Sequence, residues 1–241
     1  MSGQNSLEIR SDKMHLVERA IEKSGVSQAV ADALRMMLWL DDKPEAVKHM
    51  EKAATEYVRQ FVPPEEADKV QIKAAAAVLW DRVEKKFALY LPSDILDKDP
   101  EYIREVLVHE VLHVDLGHLQ AADGKVPELW ALVVDTHVNK ILQNSGLLVR
   151  KNAITYEHIA PLAGLPGEHI VPPETLYWLM AKKTLPSAIL MLRDNYDPIG
   201  TVPSEDRAYA DAETVTIRSL ARRDSEYNAV SYTHLTLPTN R

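Results

Sequence analysis

Residues 106–119 read VLVHEVLHVDLGHL, an apolar run that also carries three histidines, a glutamate and an aspartate. The triplet Asp99-Pro100-Glu101 favours a helix start, because it offers a capping side chain, a fixed φ and an acid near the positive helix end. The apolar spacing predicts a buried helix that ends near Gly117 or a few residues later. Ionisable side chains in such a helix need partners or a metal ion, since burial of an unpaired charge is costly.

The spacing of the first two histidines is suited to metal binding. His109 and His113 lie about 40° apart on a helical wheel, so both rings can reach one tetrahedral metal ion. Glu110 is rotated about 100° from His109 and flanks that ion, where it can accept a proton from a metal-bound water. The HExxH pattern therefore predicts metal-dependent hydrolysis with Glu110 as general base. The alternative is a buried helix without metal, in which the motif is accidental.

A catalytic zinc site needs a third protein ligand and an open position for water. Asp135 is the first candidate, because it follows six apolar or alanine residues in the next predicted helix. Asn139, one turn further, could orient the Asp135 carboxylate. His118 is the alternate third ligand if the first helix breaks at Gly117; in a regular helix it would pair with Asp115 or meet solvent. The other interpretation of Asp135 and Asn139 is an ordinary solvated polar face.

Composition limits the classes of protein. The chain has 241 residues, a formal net charge of −8 and no cysteine. Any metal must therefore be bound by His, Asp, Glu or water, and disulfides are excluded. The acidic charge argues against nucleic acid as a partner, and no apolar run approaches the ~18 to 20 residues of a membrane span. The N-terminus lacks the apolar segment of a secretory signal, so we expect a soluble cytoplasmic protein without a membrane partner.

Helical patterns dominate, and one short strand is predicted at residues 87–91, FALYL. Pro64 opens the segment PEEADKVQIKAAAAVLWDRV, which we expect to be helical, with Ala74 to Trp80 facing the core. The predicted fold class is α+β, mainly helical, with a small β-sheet beside the HExxH helix.

The chain divides into four predicted parts. After Pro186 the sequence is polar and weakly patterned, so we expect no contribution to the core. The final residues, SYTHLTLPTNR, resemble translated sequencing adapter and are expected to be non-native. The parts are an N-terminal helical region (1–68), a domain that contains the HExxH helix (69–185), a polar C-terminal region (186–229) and a non-native tail (230–241).

HEVLHVDLGH followed by LWALVVDTHVN resembles a zincin-like metallopeptidase domain family of bacteria and phages, often joined to a von Willebrand factor A domain. The family's pattern is HExxHxxxxH, then LWNxAxDxxVN, and the resemblance covers roughly residues 70–182. It implies a zincin-like fold, bound Zn²⁺ and a peptide or protein substrate. The matching positions are His109, Glu110, His113, His118, Leu129, Trp130, Asp135, Val138 and Asn139.

Two classes of function follow. The first is a zinc-dependent hydrolase, a metallopeptidase in which His109, His113 and Asp135 bind zinc; an amidase would use the same residues. The second is a non-catalytic, metal-stabilised interaction module that works with an ATPase or a von Willebrand factor A partner. The number of protein ligands separates them, since structural zinc sites are closed by four and catalytic sites keep one position open.

Overall fold

The computed structural model describes residues 16–40, 42–151, 153–166, 170–183, 186–193, 196–225 and 227–228, so the predicted non-native tail (230–241) lies outside the described residues. The first helices along these ranges are α1 (16–24), α2 (Gln28–Met36), α3 (Glu45–Arg59) and α4 (Pro64–Ala67). They are followed by α5 (Pro100–Asp115), α6 (Pro127–Asn144), α7 (Tyr156–Ala163), α8 (Pro173–Ala181), α9 (Pro186–Leu190) and α10 (Arg207–Ala221). The strands are β1 (Leu38–Leu40), β2 (Ala77–Asp81) and β3 (Lys86–Tyr90).

The strands form one small mixed sheet, so the predicted α+β, mainly helical class is confirmed. Its order is β1-β3-β2, with β1 parallel to β3 and β2 antiparallel to it. The strand predicted at residues 87–91 is β3, shifted by one residue. Strand β2 lies at the outer side of the sheet and contacts α5.

The prediction of a helix after Pro64 is wrong beyond the first turn. Helix α4 ends at Ala67, and residues 77–81 pair as a strand, with Val78 opposite Leu89 and Trp80 opposite Phe87. Alanine favours helices intrinsically, but the antiparallel partner and burial on both faces override that weak preference.

Helices α5 and α6 pack together and are buried along most of their length. Each has proline in its first turn, as predicted for α5 from Pro100. Helix α5 ends at Asp115, and Gly117 follows with φ +69°, a left-handed conformation that glycine adopts without strain. The backbone N–H of His118 then donates to the carbonyl of His113 at 3.1 Å, which closes the helix end.

The C-terminal region contributes to the core, contrary to the expectation from its polar sequence. Helix α10 packs against α2, α5 and β3. Asp115, expected beside His118, instead accepts hydrogen bonds from Arg218 and Arg222 of this region and from the hydroxyl of Tyr227.

Across the described ranges, no helix combines the length and apolar character needed to cross a membrane.

Candidate metal centre

Three candidate ligand atoms converge where α5 meets α6. His109 Nε2 and His113 Nε2 are 2.8 Å apart, and Asp135 Oδ1 lies 3.7 Å from the first and 3.3 Å from the second. A tetrahedral zinc ion with bonds of about 2.0–2.1 Å holds its ligand atoms about 3.3 Å apart. The three residues are 1%, 0% and 4% exposed. The cluster therefore has the size, the donor types and the burial of a metal site.

Glu110 borders the same cluster. One of its carboxylate oxygens lies within 4.8 Å of a His109 ring nitrogen and of a carboxylate oxygen of Asp197. Its Oε1 is buried and has no hydrogen-bond partner among the described residues, and the same holds for Asp135 Oδ1. Two orphaned acceptor atoms beside two imidazoles are the arrangement expected if a cation and its water belong there.

Burial controls the protonation of these groups. It lowers the pKa of His109 well below its usual value, with a further decrease from His113, and it lowers the pKa of His113 to about 3. Both rings are therefore neutral and keep a lone pair for a metal. Burial raises the pKa of Glu110 and of Asp135 well above the usual range, and the negative charge of Asp197 raises both further.

A buried ionic network surrounds the cluster, and sequence reasoning missed three of its members, Glu105, Arg150 and Asp197. The guanidinium of Arg150 donates to the buried carboxylate of Glu105 and, at 3.4 Å, to Asp197 Oδ2. Its Nη2 lies 3.5 Å from Nδ1 of His109. The buried acids are Glu105, Glu110, Asp135 and Asp197. One guanidinium balances the charge of only one of these four carboxylates, and the others must bind protons or a cation, so the residues present fit a divalent cation.

Asn139 takes part in this network, but its partners differ from the Asp135 carboxylate that the sequence suggested. Its side-chain N–H donates to the carbonyl of Ile154 at 2.9 Å, and its Oδ1 accepts from Arg150 at 3.4 Å. It also hydrogen-bonds the ring of His109. The amide therefore supports a candidate histidine ligand, whereas the sequence suggested that it would orient Asp135.

His118 does not join the converging atoms. The chain does turn at Gly117, as one alternative required, but His118 Nδ1 lies 3.0 Å from Nδ1 of His113. That is the ring nitrogen opposite the one that faces Asp135. A hydrogen bond there fixes the orientation of the His113 ring. Histidines that bind metals are commonly oriented by such a bond to the ring nitrogen that faces away from the ion.

Residues 68–182 match the model of a family described as "Putative metallopeptidase domain". Over those residues the chain is similar to this family. The matched segment contains α5 and α6 with His109, Glu110, His113 and Asp135, while Asp197 lies outside it. A search of curated proteins and a search of solved structures gave no match.

Proposed function

We propose that the chain is a zinc-dependent hydrolase that cleaves peptide bonds. The observation that carries this proposal is the convergence of His109, His113 and Asp135 from two helices, with an orphaned Glu110 oxygen beside them. The family match over residues 68–182 supports the same class of substrate, a peptide or protein.

His109, His113 and Asp135 are proposed to hold the metal. Two imidazoles and one carboxylate at this spacing suit a small four-coordinate ion, and zinc is the ion that such donors favour in hydrolases. When bound, zinc would polarise the peptide carbonyl and lower the pKa of water to about 7. Hydrogen bonds from the ring of His109 to Asn139 and between His118 and His113 would keep the two rings aimed at the ion.

Glu110 is proposed as the general base. Its orphaned Oε1 is free to accept a proton from the attacking water. Because burial raises the pKa of Glu110, its carboxyl group can hold that proton and return it to the leaving amine. The single group would thus act first as base and then as acid.

Replacement of Glu110 by glutamine tests this role. Glu110→Gln keeps the shape of the side chain and should retain zinc, but should lower the rate of peptide-library digestion by about a hundred- to ten-thousand-fold. Glu128→Gln is the matched control, because Glu128 is also buried but stands in the first turn of α6, outside the cluster. Full activity in Glu110→Gln, with zinc bound, would refute the mechanism.

The second candidate function is the non-catalytic, metal-stabilised module, working beside an ATPase or a von Willebrand factor A partner. A specific observation favours keeping it: Asp197 Oδ2 lies 3.9 Å from His109 Nε2, so a fourth protein ligand is within reach. Under either function we propose a cytoplasmic protein with a helical region (1–68), a peptidase-like domain (69–185) and a C-terminal region (186–229) that completes the site.

A further inference from the structure

Residues 196–202, here called the edge segment, run along β2, one of the two outer strands of the sheet. Tyr196 pairs with Ala74 and Ile199 with Val78, both in parallel orientation. The backbone N–H of Gly200 donates to the carbonyl of Val78 at 2.9 Å. The edge segment therefore occupies hydrogen-bonding positions of β2 that an extended peptide would otherwise be able to use.

The edge segment approaches β2 closely at one point. A β-carbon added to Gly200 would lie 3.0 Å from the Cα of Leu79, a backbone atom that cannot move aside cheaply. Gly200 thus permits a fit that a larger residue would disturb. This contact gives a means to loosen the edge segment without changing any candidate ligand.

The edge segment brings Asp197 into the metal centre. The backbone N–H of Asp197 donates to the carboxylate of Asp135. Its Oδ1 accepts from the backbone N–H of Ala76 at 3.1 Å, and its Oδ2 lies 3.4 Å from Arg150 Nη1 and 3.9 Å from His109 Nε2. Asp197 is only 6% exposed. Its carboxylate is thus held by two hydrogen bonds and lies beside the ring of His109.

The two groups of possible ligand atoms share one residue, His109. His109, His113 and Asp135 form one group, and His109, Glu110 and Asp197 form another. Nε2 of His109 is the nitrogen that faces both Asp135 and Asp197, while its Nδ1 faces Arg150. A single imidazole nitrogen binds a single ion, so Asp197 would join the same ion as Asp135 by a shift of its carboxylate toward the group of His109, His113 and Asp135, of which it is not a member.

We propose that Asp197 is the fourth protein ligand of this ion, and that the edge segment closes the metal centre in the resting protein. The proposal rests on the metal site of the proposed function. It adds regulation to that function, because an ion with four protein ligands has no open position for water. Departure of the edge segment would release the Asp197 carboxylate and free the β2 edge for a peptide in the same step.

The closure can be measured without any substrate. The full-length chain is loaded with Co²⁺ and titrated with acetohydroxamate, a small chelating anion that binds cobalt only where a coordination position is open, while the visible spectrum is recorded. The proposal predicts at least about tenfold weaker acetohydroxamate binding in wild type than in Asp197→Ala. Loss of one ligand should also weaken Co²⁺ binding by about 10–100-fold, the size of effect typical of groups that support a metal.

Two further variants make the test independent of Asp197→Ala. Gly200→Val should open the centre by displacing the edge segment, and should bind acetohydroxamate more tightly than wild type. Asp206→Asn is the matched control, because Asp206 is another buried carboxylate of the C-terminal region that bonds Trp80 and lies outside both ligand groups. It should bind acetohydroxamate as weakly as wild type.

The outcomes separate the two levels of the proposal. One Co²⁺ per chain, with acetohydroxamate binding equally to wild type, Asp197→Ala and Gly200→Val, would overturn the closure and leave the metal site intact. No Co²⁺ in wild type would overturn both the closure and the proposed function. Wild type alone decides the matter if a variant fails to fold, since tight acetohydroxamate binding to its cobalt would show an open position.

Discussion

Removal of the Arg150 guanidinium should destabilise the fold strongly, because it neutralises buried acids around the metal centre. The side chain of Arg150 is 9% exposed, and that of its main partner Glu105 is 0% exposed. Arg150→Met keeps much of the length and volume of the side chain but leaves the carboxylates of Glu105 and Asp197 without their cation. Breaking a buried ion pair in this way costs about 3–5 kcal/mol.

The lower end of that range applies here. Glu105 Oε2 still accepts hydrogen bonds from the backbone N–H groups of Val149 at 2.7 Å and of residue 150 at 2.9 Å. We therefore expect the free energy of unfolding to fall by about 3 kcal/mol. In a domain of this size that loss lowers the melting temperature by about 6–12 °C.

Urea unfolding of the metal-free protein, followed by circular dichroism, measures the change. Arg35→Met is the control, because Arg35 pairs with Glu18 at 2.8 Å in an exposed salt bridge, where the expected loss is below about 1 kcal/mol. The double variant with Glu105→Gln should cost less than the sum of the single changes. If Arg150→Met cost no more than Arg35→Met, the guanidinium would not be the charge that holds the buried acids in place.

Two further predictions concern the end of α5 and its glutamate. Gly117→Ala places a side chain at φ +69° and should lower the free energy of unfolding by about 1 kcal/mol; unchanged urea unfolding would contradict the strained turn. The raised pKa of Glu110 means that the folded, metal-free protein binds this proton more tightly than the unfolded chain does. Its stabilising effect is complete below the usual pKa of 4.5 and is lost as the pH rises through the raised folded value. Melting temperatures of metal-free wild type should therefore fall with rising pH more steeply than those of Glu110→Gln, and parallel curves would refute the raised pKa.

The parts of the site that were predictable from the sequence lie within single helices. His109, Glu110 and His113 take their relative positions from helical spacing alone. Asp135 could be predicted from the sequence because a lone acid in an apolar helix is unusual. Arg150 and Asp197 lie in irregular segments, where position depends on tertiary packing and no local pattern marks them.

The parts of the fold that escaped prediction have similar causes. Residues 77–81 look helical because alanines precede them, and only pairing with β3 makes them a strand. Helix α10 buries Ala210, Thr214, Ile217 and Ala221, which share one face but are mostly small. A face built from small side chains gives little hydrophobic contrast, so the helix looked like a solvated segment.

Zinc binding by the full-length chain tests the central claim most directly. Zinc content and Zn-edge X-ray absorption would be recorded for wild type, for Asp135→Ala and for the control His49→Ala, a change at an exposed histidine of α3. We predict one zinc per chain with imidazole ligands in wild type and His49→Ala, and binding at least about tenfold weaker in Asp135→Ala. Zinc held equally well by Asp135→Ala, or a spectrum without imidazole ligands, would contradict a metal centre built by α5 and α6.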